Sequence, residues 1–315
     1  MSAQPESNEL NATSITNAWT GILLCRSWRQ QVKRSIRFAL CRTSLSHANL
    51  LVRRYAENAL QFLYNENDDS ESKDQEAMIS FIVPAYNEEL ELSSTLAAIR
   101  AATVGVCQPF EIMVVDDAST DATPEIAEQA GARVVSINRR QIAAARNAGA
   151  RAARGEYLFF VDADTRINRT HVTEAMYVLG AGYAGGSARG VMDGFIPLWS
   201  RIFLRAFCTL YFGLNLGAGA FLFTTRRNFQ ATGGFDEQYF AGEEVYFSLA
   251  LRKLGRFKVL REPVVTSGRK LRMYSAKEIL GTLFIMIFGG PRMARSRARL
   301  HLWYDGKRET EALCE

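Results

Sequence analysis

Phe159-Phe160-Val161-Asp162-Ala163-Asp164 reads as an apolar strand closed by two aspartates one residue apart. Strand side chains alternate faces, so Asp162 and Asp164 are expected to point the same way. In an open α/β sheet that end of a strand is where ligands bind. Paired carboxylates there are hard oxygen donors of the kind that hold Mg²⁺ or Mn²⁺ carrying a substrate's phosphates. Taken alone, an Asp-x-Asp more often caps a helix or a turn. The rest of the chain has to decide between these readings.

Upstream, the pattern is regular. Ile79 to Val83 predicts a strand, and Leu92, Leu96 and Ile99 fall on one face of a following helix. A strand at 110–115, a short helix at 124–130 between Asp121 and Gly131, a strand at 132–136 and an Ala-rich helix at 141–153 lead to the strand at 157–161. Strands alternating with helices at this spacing predict right-handed βαβ units, and hence an α/β fold with a mainly parallel mixed sheet flanked by helices. Three of these strands run into polar loops: PAYNEE at 84–89, DDASTD at 116–121 and the Asp162–Asp164 pair. Loops after parallel strands share one edge, so the three are expected to surround one pocket, and acidic loops gathered in this way call for a cation. Helix capping and turn formation are the competing uses of Asp116 and Asp117, uses that Asp121 also suits.

Composition sets the class. With 315 residues, 48% hydrophobic and 23% charged, the chain has enough apolar sequence for a full core. Its five cysteines make no C-x-x-C pair or zinc spacing, and its three histidines are scattered, which argues against a zinc site, a disulfide framework or a Ser-His-Asp triad. A reduced, cytoplasmic setting fits. The net charge of +5 is uneven: residues 252–308 hold fifteen Lys and Arg against Glu262, Glu278 and Asp305. Such a region seeks an anionic partner, and its interleaved apolar runs favour a membrane surface over nucleic acid. The apolar run at 279–290, flanked by Lys277 and Arg292, is too short to span a bilayer; it reads as a buried helix, an interfacial one, or both.

Ahead of the core, residues 11–56 contain no acidic residue but gather Arg26, Arg29, Lys33, Arg34, Arg37, Arg42, Arg53 and Arg54, and residues 66–76 then form an acidic linker. A surface-binding helix, a transit-peptide-like segment and a little-structured extension are its three readings, and Met78 is a conceivable natural start. The expected organisation is an N-terminal extension at 1–77, a core domain at 78–272 and a basic, apolar helical region at 273–315.

From about Met78 to Lys270 the chain resembles the family 2 glycosyltransferases. The carriers are IVPAYNEE at 82–89, VVDDASTD at 114–121, AARNAG at 144–149, GEYLFFVDAD at 155–164, GGFDE at 233–237 and GEE at 242–244. The resemblance implies a GT-A fold and metal-dependent transfer of a hexosyl group, with inversion, from a nucleotide-diphospho-sugar. UDP-sugars are the commonest donors in that family, with guanosine and thymidine alternatives. Pro84, Tyr86 and Glu88 would line the nucleotide pocket, Asp117 would hydrogen-bond the base, and Arg146 would lie near the base or phosphates. Asp162 would approach ribose and metal, and Asp164 would ligate Mn²⁺ or Mg²⁺.

Glu244 would be the base that takes the acceptor's proton, supported by Glu243, where the family usually carries Glu-Asp or Asp-Asp. Gly217 to Ala220 would build the acceptor side, and the 266–270 stretch would return a cation to the diphosphate. Lacking a Gln-x-x-Arg-Trp motif and spanning helices, the chain is expected to make single transfers onto a lipid-linked or other glycan acceptor of the cell envelope, peripherally at the inner membrane face. Two other classes compete. A sugar-phosphate nucleotidyltransferase would need a Gly-rich loop after the first strand, which is absent; a degenerate transferase acting as a nucleotide-sugar sensor or scaffold is motivated by the altered Glu243-Glu244 pair.

Overall fold

The computed structural model describes residues 77–194, 196–297 and 300. The expectations placed on residues 1–76 and on the chain after Leu300 lie outside the described residues. The elements are, in order, β1 (Ile79–Ala85), α1 (Leu92–Thr103), β2 (Phe110–Asp117), α2 (Thr123–Gln129), β3 (Arg133–Ile137), α3 (Ile142–Ala152), β4 (Tyr157–Val161), β5 (Thr165–Arg166), α4 (Arg169–Gly180), β6 (Gly185–Met192), α5 (Leu198–Gly213), β7 (Phe221–Thr225), α6 (Arg226–Thr232), α7 (Glu243–Leu254), β8 (Phe257–Thr266), α8 (Arg269–Met273) and α9 (Ala276–Ala294).

The described strands form one sheet in the order β3-β2-β1-β4-β7-β6-β8-β5. β3, β2, β1 and β4 are parallel, as their helical crossovers require, and β6 pairs parallel with β8. β7 enters antiparallel between β4 and β6, so Phe221 at its start lies beside Val161 at the end of β4. That reversal delivers residues 217–220 to the edge where β1, β2 and β4 end.

Alternation along the strands feeds two cores. Phe81, Val83, Phe159, Val161, Phe221 and Phe223 face the side covered by α1, α2 and α4. Ile82, Leu158, Phe160 and Leu222 face the side that holds Ala143, Ala145 and Ala150 of α3, Phe229 of α6, Phe235, and Phe247 and Leu251 of α7. Aromatic rings fill both layers: Phe159 meets Phe81 edge-on at 5.5 Å and Phe221 at 5.7 Å, and on the other side Phe235 stacks on Phe247 at 4.2 Å. Burying each such ring contributes about 1.5–3 kcal/mol, and the ring pairs add about 0.5–1.5 kcal/mol. α3 can approach the sheet closely because its inner face is alanine and glycine. A Cβ on Gly149 would stand 2.3 Å from Ile82 Cγ2 and 2.9 Å from Val115 Cγ2, so this glycine is fixed by packing and not by backbone conformation.

Two expectations change. The chain leaves β4 at Val161, and Asp162 to Asp164 lie in a turn closed by the Thr165 amide donating to the Asp162 carbonyl at 3.0 Å. Strand alternation therefore does not fix where the two aspartates point. The C-terminal apolar run, read at 279–290, lies within a longer helix: α9 continues through Gly289-Gly290-Pro291 to Ala294. Among the described residues no helix is long and apolar enough to cross a membrane.

Candidate active site

A cavity of about 330 Å³ opens at the carboxyl ends of β1, β2 and β4. Pro84, Tyr86, Glu88, Asp117, Arg146, Asp162, Glu243 and Glu244 all line it, so one pocket gathers side chains spread over 160 residues of sequence. Asp164 is not part of this lining but contacts Arg269, which is. A larger groove of about 560 Å³, formed by Arg205, Thr209, Leu210, Gly213 and Leu214 on α5, shares no residue with it and is an open surface feature.

Arg146 joins the two sides of the pocket. Its side chain, only 1% exposed, donates from Nη1 to Glu243 Oε1 and from Nη2 to Asp162 Oδ1, both at 2.7 Å, and from Nη2 to the Gly219 carbonyl at 3.2 Å. Burial opposes its charge, but Asp162, Glu243 and Glu244 outweigh that and hold the guanidinium above the ordinary arginine range. It is not the surface residue that an arginine on an Ala-rich helix suggests. Gly219 is what lets it in, since a Cβ there would lie 2.9 Å from Nη2. Gly217, by contrast, is held by packing against Ser248, Leu222 and Phe257.

The neighbours of Arg146 on α3 fix the loop that leads to α7. Asn147 donates to the Phe235 carbonyl at 2.8 Å and to Glu237 Oε1 at 3.0 Å, and accepts from the Phe235 amide at 2.9 Å. Gln141 donates to the Glu237 carbonyl at 2.5 Å. Arg226, at the start of α6, spends its guanidinium on the carbonyls of Ala150, Ala153 and Gly155, and so ties α6 to the end of α3 and the turn before β4.

Asp117 is buried and heavily used. Its Oδ1 accepts from the amides of Arg139 and Arg140 at 2.6 and 2.7 Å, and its Oδ2 from that of Gln141 at 2.7 Å. Three amides in succession around one carboxylate form a nest, which Arg140 completes with a φ of 50°. A carboxylate has about four acceptor directions, so roughly one is left for a ligand. The Arg140 guanidinium lies 3.4 Å above the Tyr86 ring, which flanks the same corner. Loops 84–89 and 116–123 interlock through side chains: Thr123 Oγ1 accepts from the Glu88 amide at 2.7 Å, Asn87 Oδ1 from the Thr120 amide at 2.8 Å, and Asp121 Oδ2 from the Glu89 amide at 3.2 Å. Within the second loop Asp116 Oδ1 accepts from the Ser119 amide at 3.3 Å and Asp121 Oδ1 from the Thr123 amide at 3.0 Å, so the two serve the turn and the helix start.

On the far side Arg269, from α8, forks onto Glu88 with both nitrogens at 2.6 Å, and its Nη2 stands 3.3 Å from Asp164 Oδ2. Burial opposes this charge too, and Glu88 and Asp164 more than restore it, raising Arg269 above the usual range. Glu88 is therefore engaged by a C-terminal cation.

Glu243 and Glu244 open α7, where carboxylates suit the helix dipole. Glu243 is buried against Arg146; Glu244 is partly exposed at the cavity wall. Burial, with Glu243 beside it, pushes Glu244 up to about 8, against the pull of Arg146. Burial and the charges of Asp164 and Glu243 likewise push Asp162 upward, against Arg146.

Counting Asp164, six carboxyl groups around the cavity face four basic side chains, Arg140, Arg146, Arg269 and Lys270, an excess that a divalent cation would offset. No cluster of three or more His, Cys, Asp or Glu able to hold an ion occurs among the described residues. Asp162 and Asp164 are two carboxylates that could serve as donors, a pair that fits Mg²⁺ or Mn²⁺ taking its remaining oxygens from phosphates and water. Arg140, Gln141 and Asn147 are site-building residues that sequence reasoning passed over. The AARNAG motif at 144–149 was a visible signal for Asn147 alone.

The profile of the family described as Glycosyl transferase family 2 matches residues 80–234. The putative glycosyltransferase EpsH of Bacillus subtilis is 32% identical over 107 residues, 32% of this chain and 30% of that protein. The undecaprenyl-phosphate 4-deoxy-4-formamido-L-arabinose transferase of Pseudomonas aeruginosa is 37% identical over 95 residues, 28% of each. The match thus spans under a third of the length of these curated relatives. Among solved structures, the mannosyltransferase PcManGT of Pyrobaculum calidifontis, in complex with GDP-Man and Mn²⁺, superposes with a TM-score of 0.53 at 22% identity, covering 71% of this chain and 68% of that one; the likeness is one of fold.

The raised Glu244 makes a signed prediction. A carboxyl that holds its proton more tightly folded than unfolded stabilises the fold below the unfolded value, and that contribution is lost as pH rises toward the folded value near 8. Glu244→Gln keeps the shape without the charge, so its melting temperature should match wild type at pH 5 and exceed it by about 3 °C at pH 8.5 in EDTA. Scanning calorimetry at the two pH values checks this; a difference independent of pH would contradict the assignment.

Proposed function

Because this chain belongs, through residues 80–234, to the family 2 glycosyl transferases and has their GT-A fold, we propose that it moves a sugar from a nucleotide-diphospho-sugar, a UDP-sugar first among candidates, to a hydroxyl of a lipid-linked or cell-envelope acceptor. The observation that carries this reading is the single cavity in which Asp117, Asp162 and Glu88 face Glu243 and Glu244. Tyr86, with Arg140 stacked on it, and the free direction of Asp117 offer a corner for the base. Asp162 and Asp164 would hold Mn²⁺ or Mg²⁺, which when bound neutralises charge on the leaving diphosphate.

Glu244, partly exposed at the cavity wall, is the base that takes the acceptor's proton as its oxygen attacks from the side opposite the leaving group; inversion follows from that arrangement. A value raised toward 8 makes it a stronger base than an ordinary glutamate. Glu243, paired with Arg146, positions the helix start from which Glu244 projects.

Two observations support an acceptor at the membrane. One is the P. aeruginosa relative, whose name specifies undecaprenyl phosphate. The other is a pair of helix faces: α5 exposes Leu198, Leu210 and Leu214 beside Arg201 and Arg205, and α9 exposes Leu280 and Phe284 beside Lys277. Apolar side chains next to cations suit peripheral attachment to anionic lipid, here the cytoplasmic face.

Two experiments test the reading. The full chain is screened with UDP-, GDP- and dTDP-sugars for release of nucleoside diphosphate, with and without Mn²⁺. One nucleotide class should support turnover, Asp164→Ala should abolish the metal dependence, and Glu244→Gln should lower kcat by about 10²–10⁴ while leaving donor affinity nearly unchanged. Donor binding without turnover on any acceptor would instead favour a sensor or scaffold. For the membrane face, the Leu280→Ser/Phe284→Ser variant should bind anionic vesicles at least about tenfold more weakly than wild type; equal sedimentation would remove α9 from the proposed contact.

A further inference from the structure

The two carboxylate oxygens of Asp164 face the end of β8 and the segment that follows it. Oδ1 accepts from the Thr266 hydroxyl at 3.2 Å, and Oδ2 stands 3.3 Å from Arg269 Nη2. The backbone adds a third tie, the Ser267 amide donating to the Asp164 carbonyl at 3.2 Å. A divalent cation reaching Asp164 Oδ2 therefore meets a guanidinium already there. The backbone of this segment is pinned: the Gly268 amide donates to Asp193 Oδ1 at 3.0 Å, and a Cβ on Gly268 would lie 2.6 Å from the Asp193 carbonyl oxygen. What can move is the Arg269 side chain.

Resting on the donor-site reading above, we propose that Arg269 is a stand-in cation, and that Arg269 and a divalent metal ion are alternative partners of Asp164 Oδ2. Without donor, Arg269 balances Glu88 and Asp164 together. A nucleoside diphosphate brings negative charge into the cavity that Arg269 lines, and so supplies the guanidinium with a second partner when it gives up Asp164. Asp164 is then open to the ion. Metal and diphosphate each make room for the other, so the chain binds them synergistically and keeps little metal in the absence of donor.

The test is Mn²⁺ binding to the full chain, read from the electron paramagnetic resonance signal of free Mn²⁺, first alone and then with saturating UDP or GDP. Wild type should bind Mn²⁺ at least about tenfold more tightly with the nucleotide than without it. Arg269→Gln should bind Mn²⁺ alone about tenfold more tightly than wild type and gain correspondingly less from nucleotide. Arg269→Lys keeps a charge for Glu88 but loses the fork; it should tighten Mn²⁺ binding in the same direction, and it carries the test if the glutamine variant does not fold. Lys270→Gln removes a charge from the same cavity without touching Asp164 and should change Mn²⁺ affinity by less than about threefold. Unchanged or weaker Mn²⁺ binding in the Arg269 variants, or equal tightening in Lys270→Gln, overturns the proposal while leaving the donor reading intact. Failure of wild type and variants alike to bind Mn²⁺ with either nucleotide overturns both.

Discussion

One buried guanidinium organises this protein. Arg146 reaches Asp162, just past the end of a central strand, and Glu243, at the start of α7, and it has almost no contact with solvent. Removing charges from water costs several kcal/mol per ion, and breaking a buried pair by deleting one partner costs about 3–5 kcal/mol. The arrangement therefore survives only with its geometry intact. That geometry depends on an α3 face made of alanine and glycine, on a glycine at 219 that leaves room for Nη2, and on a loop at 233–237 clamped by Asn147. The aromatic layer under α3 holds these parts in register.

The consequence is mechanical coupling across the cavity. Asp162 stands past the end of β4, where the donor is proposed to bind, and Glu243 opens the helix that carries the proposed base, so one side chain sets the distance between them. It also sorts the carboxylates: Glu243 is the one paired with the cation, and Glu244 is the one left with a raised proton affinity at the cavity wall. Arg269 repeats the theme across the pocket, where it forks onto Glu88 and reaches Asp164. Two arginines hold four carboxylates, and the remaining excess of negative charge is what suits the pocket to a dication with a diphosphate.

The alternation of strands and helices from Ile79 to Val161 was legible because its cause is local: hydrophobic period and turn residues. So was the gathering of three loops, since parallel strands leave their ends no choice of edge. The resemblance placed Arg146 near the pocket, but its burial as a bridge between Asp162 and Glu243 was not legible, because an arginine among alanines looks like a solvated helix face; only the surrounding small residues hint that this face must pack closely. The orientation of Asp164 was missed because the chain leaves the strand at Val161, where the period-two rule lapses. Arg269 stands 181 residues from Glu88 in sequence, and no local pattern links the two. A basic stretch at the C-terminal end was visible, but its delivery to the cavity depends on β8 running parallel beside β6 and on its short pairing with β5.

The most direct measurement is a crystal structure of the full chain with Mn²⁺ and UDP or GDP, the ion located by anomalous scattering. The account predicts that the diphosphate and ion lie in the cavity at the ends of β1, β2 and β4, with Arg146 still bridging Asp162 and Glu243. A guanidinium of Arg146 turned onto the phosphates, with Asp162 and Glu243 released from one another, would contradict it.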